Sequence, residues 1–241
     1  MKKILVAILT FTLMGIGTNV FAQGKYGADS AECIKYLSYY KEYYKQKNYD
    51  EALPSWRQAF KLCPPQASQN LYIDGATLVK RAISKAKTAA DQKALIDTLM
   101  NIYDIRIANY PNNAVTALNN KGLDMVNYVK NQPETLYKEL TNIATANKAE
   151  TKPSLFVQQL NSAITLYQDG KVGAEEIINV YETAVAYLEA ANPKTETDKE
   201  QNAEMTSALQ TLFATSKVAS CDNIIALFTP RYNAAPNDLD L

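Results

Sequence analysis

Five prolines punctuate this chain at similar intervals. Pro64, Pro111, Pro153, Pro193 and Pro236 each follow a stretch of helical periodicity, and successive ones lie about 40 to 47 residues apart. Proline ends a helix because it lacks an N–H and its ring clashes with the preceding turn. Between the prolines the apolar residues show the three- and four-residue spacing of a helix, with no convincing strand alternation. Each interval has room for two helices. The predicted helices cover 30–46, 49–62, 67–86, 90–109, 114–130, 133–147, 154–168, 174–191, 197–218 and 222–228. Asn48 or Asp50 stands near the cap of the second. Pro133 suits a first helical turn, and Asp169-Gly170 splits the seventh from the eighth.

A lone helical hairpin cannot bury its apolar side, so neighbouring hairpins must stack, and a period in this range is a signature of helical solenoids. The expected fold is all-α: a right-handed superhelical solenoid of about five hairpins with one concave and one convex side. Its units are 30–65, 66–113, 114–153, 154–194 and 195–236. The alternative is one irregular globular bundle. Composition agrees with long helices and few turns, since only 8 Gly and 9 Pro occur in 241 residues. Lysines and arginines balance aspartates and glutamates at 25 each, which leaves no basic field for nucleic acid. Residues 231–241 read as a loop entering a further repeat, without a polar capping helix.

Residues 1–22 read as a secretory signal. Lys2 and Lys3 precede the apolar run 4–16, and Val20-Phe21-Ala22 suits cleavage after Ala22. The alternative is an uncleaved membrane anchor. Gln23, not Cys, follows the cut, so the usual lipoprotein anchor is missing. No second apolar run has the length of a membrane span. The expectation is an exported helical domain over 23–241, periplasmic or envelope-associated. That compartment permits a disulfide. Cys33 opens the first helix and Cys63 closes the second, ends that an antiparallel hairpin brings side by side. The expectation is a Cys33–Cys63 disulfide, against two free buried thiols. Cys221 is left over.

Catalytic chemistry finds little support. There is no His, which removes His-dependent nucleophilic catalysis and the commonest metal ligand. The cysteines lack zinc spacing. Ser38-Tyr39-Tyr40-Lys41 matches S-x-x-K formally, without its companion motifs. Glu175 and Glu176 diverge around a helix and suit a first turn. No catalytic residue, cofactor or metal is expected.

The stretch 32–65 resembles the tetratricopeptide repeat. Tyr36, Tyr39, Tyr40 and Tyr43 fall at the first-helix positions, and Ala52, Trp56, Ala59 and Pro64 at the later ones. Tyr40 stands where the family has a small residue, which implies a wider or tilted helix pair. Gly75 and Gly122 fall at the small position of units two and three, and Tyr103 and Pro111 at the aromatic and proline positions of unit two. With its leader, the chain is similar to exported tetratricopeptide proteins of the Bacteroidota. The resemblance implies concave-face positions at Ile34, Leu37, Lys41, Tyr44 and Lys45 in unit one. In unit two they are Gln69, Tyr72, Ala76, Val79 and Lys80, and in unit three Thr116, Asn119, Leu123, Val126 and Asn127. Lys41, Lys45 and Lys80 beside Tyr44 and Tyr72 suit an extended peptide or its carboxylate, and Asn119 and Asn127 suit its backbone. The expected partner is a protein or peptide of the cell envelope. Aromatic richness leaves a glycan-binding accessory as the alternative, and an enzyme with unusual carboxylate or lysine chemistry as a second.

Overall fold

A computed structural model describes residues 24–218 together with 220, 225 and 229. The proposed leader, Cys221 and most of 222–228 lie outside the described residues. Among the described residues there are nine α-helices and no strand. They are α1 (Ser30–Lys45), α2 (Tyr49–Leu62), α3 (Asn70–Lys85), α4 (Ala89–Asn109) and α5 (Ala114–Tyr128). Then follow α6 (Pro133–Asn147), α7 (Pro153–Gln168), α8 (Ala174–Ala190) and α9 (Glu196–Thr215). None is long and apolar enough to cross a membrane.

Local chemistry sets the boundaries. Pro133 and Pro153 open α6 and α7, where a missing N–H costs nothing. The Thr88 hydroxyl oxygen caps α4 by accepting from the Asp91 N–H at 3.0 Å, and Thr195 does the same for α9 through the Asp198 N–H at 3.1 Å. Gly170, at φ +71°, closes α7 in the left-handed conformation that glycine tolerates best. The sequence places the third helix from residue 67, whereas Pro65–Ala67 forms a 3-10 turn and α3 begins at Asn70. Helix α2 runs through Pro54, which stays exposed in its second turn.

Each helix packs on the next in order, from α1 on α2 to α8 on α9. A second set of contacts joins alternate helices. The Tyr40 hydroxyl of α1 donates to Asp74 Oδ2 of α3 at 3.4 Å. Lys80 of α3 pairs with Asp124 of α5, α5 meets α7, and α7 meets α9. The odd-numbered helices therefore form one row.

The core follows the chain. One apolar cluster joins α1 to α4 around Tyr40, Trp56, Leu71, Leu99 and Ile102. A second gathers Met125, Leu136, Leu140, Ile143 and Leu155. A third holds Phe156, Leu160, Ile177, Leu188 and Leu209. The Cys33 and Cys63 sulfurs stand at bonding distance, 2.08 Å, with Cα atoms 5.1 Å apart. This disulfide staples the open end of the first hairpin, whose α1 otherwise lies at the edge of the helical row.

The α1 packing stripe is Cys33, Leu37 and Tyr40, flanked by half-buried Tyr44. Of the tyrosines that carry the resemblance, Tyr40 is buried, Tyr36 half-buried, and Tyr39 and Tyr43 exposed. Helical geometry explains this: residues 33, 37, 40 and 44 share one face, and 36, 39 and 43 fall on its flank. On α2, Ala52, Trp56 and Ala59 are all buried.

Candidate functional site

The row of odd helices presents α1, α3 and α5 side by side, and this is where the sequence places its binding residues. Lys41 is half-buried beside Asp74, and Lys45 is exposed. Tyr44 is half-buried and tilted against Tyr49, ring centroids 5.1 Å apart. Asn127 is exposed on α5. Lys41, Tyr44 and Lys45 therefore share α1, while Asn127 stands two helices away.

Other predicted residues serve the fold. Tyr72 is buried, and its hydroxyl donates to the Pro65 carbonyl at 3.1 Å. Asn119 is also buried. Its amide donates to the Glu150 carbonyl at 2.9 Å, and its side-chain oxygen accepts from the Lys152 N–H at 2.9 Å. These bonds hold the α6–α7 connection against α5 and leave the side chain little capacity for a guest. Lys80 lies 3.2 Å from buried Asp124, which also accepts from the Tyr103 hydroxyl at 2.6 Å. Burial of a carboxylate requires such partners. Lys80, Asp124 and Tyr103 thus tie α3, α4 and α5 together.

Exposed apolar groups complete the face. Ile34 is 45% exposed on α1 and Ile73 is 41% exposed on α3. Asp74 lies between the two helices. Burial raises its pKa, opposed by the Tyr40 hydrogen bond and the Lys41 charge. Burial first, and then the neighbouring Asp74 charge, push the Tyr40 phenol well above its ordinary value. The phenol therefore stays protonated and donates. On the flank of α5, burial works against the charge of Lys121. Hydrogen bonds to Asp104 and Glu139, at 2.8 and 2.9 Å, outweigh it and hold the ammonium pKa above its usual value.

Among the described residues no group of three or more His, Cys, Asp or Glu could hold a metal ion.

A concavity lies elsewhere. A groove of about 480 Å³ opens where the C-terminal half of α3 passes between α2 and α4. Its charged rim carries Asp50, Arg57, Arg81, Lys85 and Asp91. Sequence reading missed it because Asp50 meets Arg81 and Lys85 across 31 and 35 residues, a pairing with no local signature. No family model, curated protein or solved structure matches this chain.

Proposed function

We propose that the chain is an exported scaffold of stacked helical hairpins, of the tetratricopeptide kind, that holds a protein or peptide partner without catalysis. In this reading the hairpins wind into a right-handed superhelix, and α1, α3 and α5 form its concave side. The observation that carries the proposal is Ile34 and Ile73, two large apolar side chains left exposed on α1 and α3, helices that also carry Lys41, Lys45 and Asp74. Such groups suit an extended peptide, whose apolar residue sits on the isoleucines while the charges select its neighbours. Regular packing of each helix on the next supports the repeat architecture. The apolar leader supports an envelope location, where the disulfide is at home.

The test is recovery of partners from an envelope extract by the mature protein and by an Ile34→Asp/Ile73→Asp/Lys41→Glu variant of unchanged circular dichroism. Loss of a specific partner in the variant is the expected result. Equal recovery of every partner rejects this face.

A second reading is glycan binding. It draws on Tyr39, 52% exposed, and Tyr43, 38% exposed, which share one flank of α1 with half-buried Tyr36. Sugar rings stack on exposed aromatic faces. A glycan array without a hit for the wild-type protein disposes of it.

A further inference from the structure

Among the described residues no helix precedes α1, which packs on α2 and reaches α3 through Tyr40 and Asp74. Its open flank is rich in tyrosine. Glu32, Tyr36, Tyr39, Tyr43 and Gln46 recur at alternating steps of four and three residues, the spacing along which two helices interlock. Tyr39 and Tyr43 are exposed, Tyr36 is half-buried, and Glu32 and Gln46 at the two ends are exposed. The Tyr36 and Tyr39 rings stand edge to face, centroids 6.4 Å apart. Lys35 and Glu42, one heptad apart, border the stripe on one side. Along the other side lie Cys33 and Tyr40, both buried in the chain's own core. The bordering charges have only surface partners within the chain. Lys35 meets exposed Glu32 at 3.1 Å, and Glu42 accepts from Gln46 Nε2 at 2.9 Å. Exposed contacts of this kind contribute little and exchange readily.

We propose that this stripe docks against the same stripe of a second copy, the two α1 helices antiparallel about a two-fold axis. The inference is independent of the peptide reading, because Ile34, Lys41 and Lys45 occupy a different face of α1. Interlocking places Tyr36 against Tyr39 of the second copy and Tyr43 against its Glu32, and symmetry repeats each contact. The phenol of Tyr43 can donate to that carboxylate. The same register sets Lys35 opposite Glu42 of the second copy, twice over, so opposite charges meet along the open border of the seam. Charge also rejects the neighbouring registers. Sliding one heptad in one direction brings Glu42 against Glu42, and in the other Lys35 against Lys35. A parallel pair would offer Lys35 the Tyr40 position, which is buried in its own chain. A neutral sugar would use the tyrosines and leave both charges unanswered, whereas a second copy answers all of them. The seam is short, so the dimer is a weak one that forms with concentration.

Sedimentation velocity of the mature full-length protein from about 1 to 100 μM tests this. The wild type is expected to pass from monomer to dimer across that range. Tyr39→Ala weakens the dimer by about tenfold or more, with unchanged circular dichroism. Lys35→Glu and Glu42→Lys each set like charges across the seam and weaken self-association by about tenfold or more. Mixed together, these two variants form a heterodimer, because each then presents to the other the charge its own copy lacks. Recovery on mixing also shows that neither variant is misfolded. A wild type that stays monomeric throughout overturns the proposal, as does a dimer indifferent to Tyr39→Ala or to either charge reversal. So does a mixture that fails to associate, or a monomer that binds a neutral glycan through Tyr39.

Discussion

Substitution of Gly75 by Ala tests how closely α3 lies on α2. A Cβ at this position stands 2.5 Å from Trp56 Cζ2 and 2.6 Å from Cε2 and Nε1. Ordinary contact begins at 3.4 Å, so the helices must part there by about 0.8 to 0.9 Å. The indole has no room to retreat. Trp56 is 1% exposed, stacks on Phe60 at 5.0 Å, and donates its N–H to the Leu71 carbonyl at 2.7 Å. Overpacking of this sort costs about 1 to 3 kcal/mol, and strain on the buried N–H bond adds about 1 kcal/mol. The helix preference of alanine over glycine offsets about 1 kcal/mol. The net expectation is a loss of about 1 to 3 kcal/mol. Urea unfolding followed by circular dichroism measures it, and Trp56, the single tryptophan, reports the same place by fluorescence. In a Trp56→Leu background the same substitution is neutral or stabilising. Gly122→Ala is the milder comparison, because its new Cβ meets methyl ends, Leu155 Cδ1 at 2.8 Å and Ile143 Cδ1 at 3.2 Å. A Gly75→Ala protein as stable as wild type, or a loss that persists without the indole, refutes the reasoning.

Removing the Cys33–Cys63 bond, whose partners are 30 residues apart, should cost about 3 to 4 kcal/mol; a non-reduced digest should contain the linked peptides, and alkylation of both thiols without reductant would contradict this. Asp74→Asn tests the half-buried carboxyl. Its folded pKa is raised, so ionisation subtracts stability as pH climbs past the unfolded value of about 3.9. The variant is therefore more stable than wild type at neutral pH, and the gain vanishes in acid; a gain equally large at pH values below the carboxylate range sinks the assignment. Arg106 is buried with Nε unpaired, and burial lowers its pKa. Arg106→Met should raise stability by about 1 kcal/mol or more, read as a higher Tm, and a lower Tm refutes the account.

Much of the helical plan was legible before any coordinates. Helices announce themselves locally: α2, α6 and α7 begin or end beside prolines, and Gly170 separates α7 from α8. The cysteine pairing was also within reach, because both ends of one hairpin are close in sequence. Side-chain roles were less accessible. Tyr72 and Asn119 look like binding groups in the sequence, yet each bonds a backbone carbonyl in a neighbouring connection.

What the linear chain determined alone is the set of helices and the hairpin they form first, since hydrogen bonds of a helix close within four residues and capping within three. What only packing decided is which polar groups remain for a partner. Lys80 is taken by Asp124, 44 residues away, whereas Arg57 has no hydrogen bond or ion pair among the described residues, at a groove lined by three helices. Electrostatic pairing depends on distance in space, and nothing in residue order reports that distance.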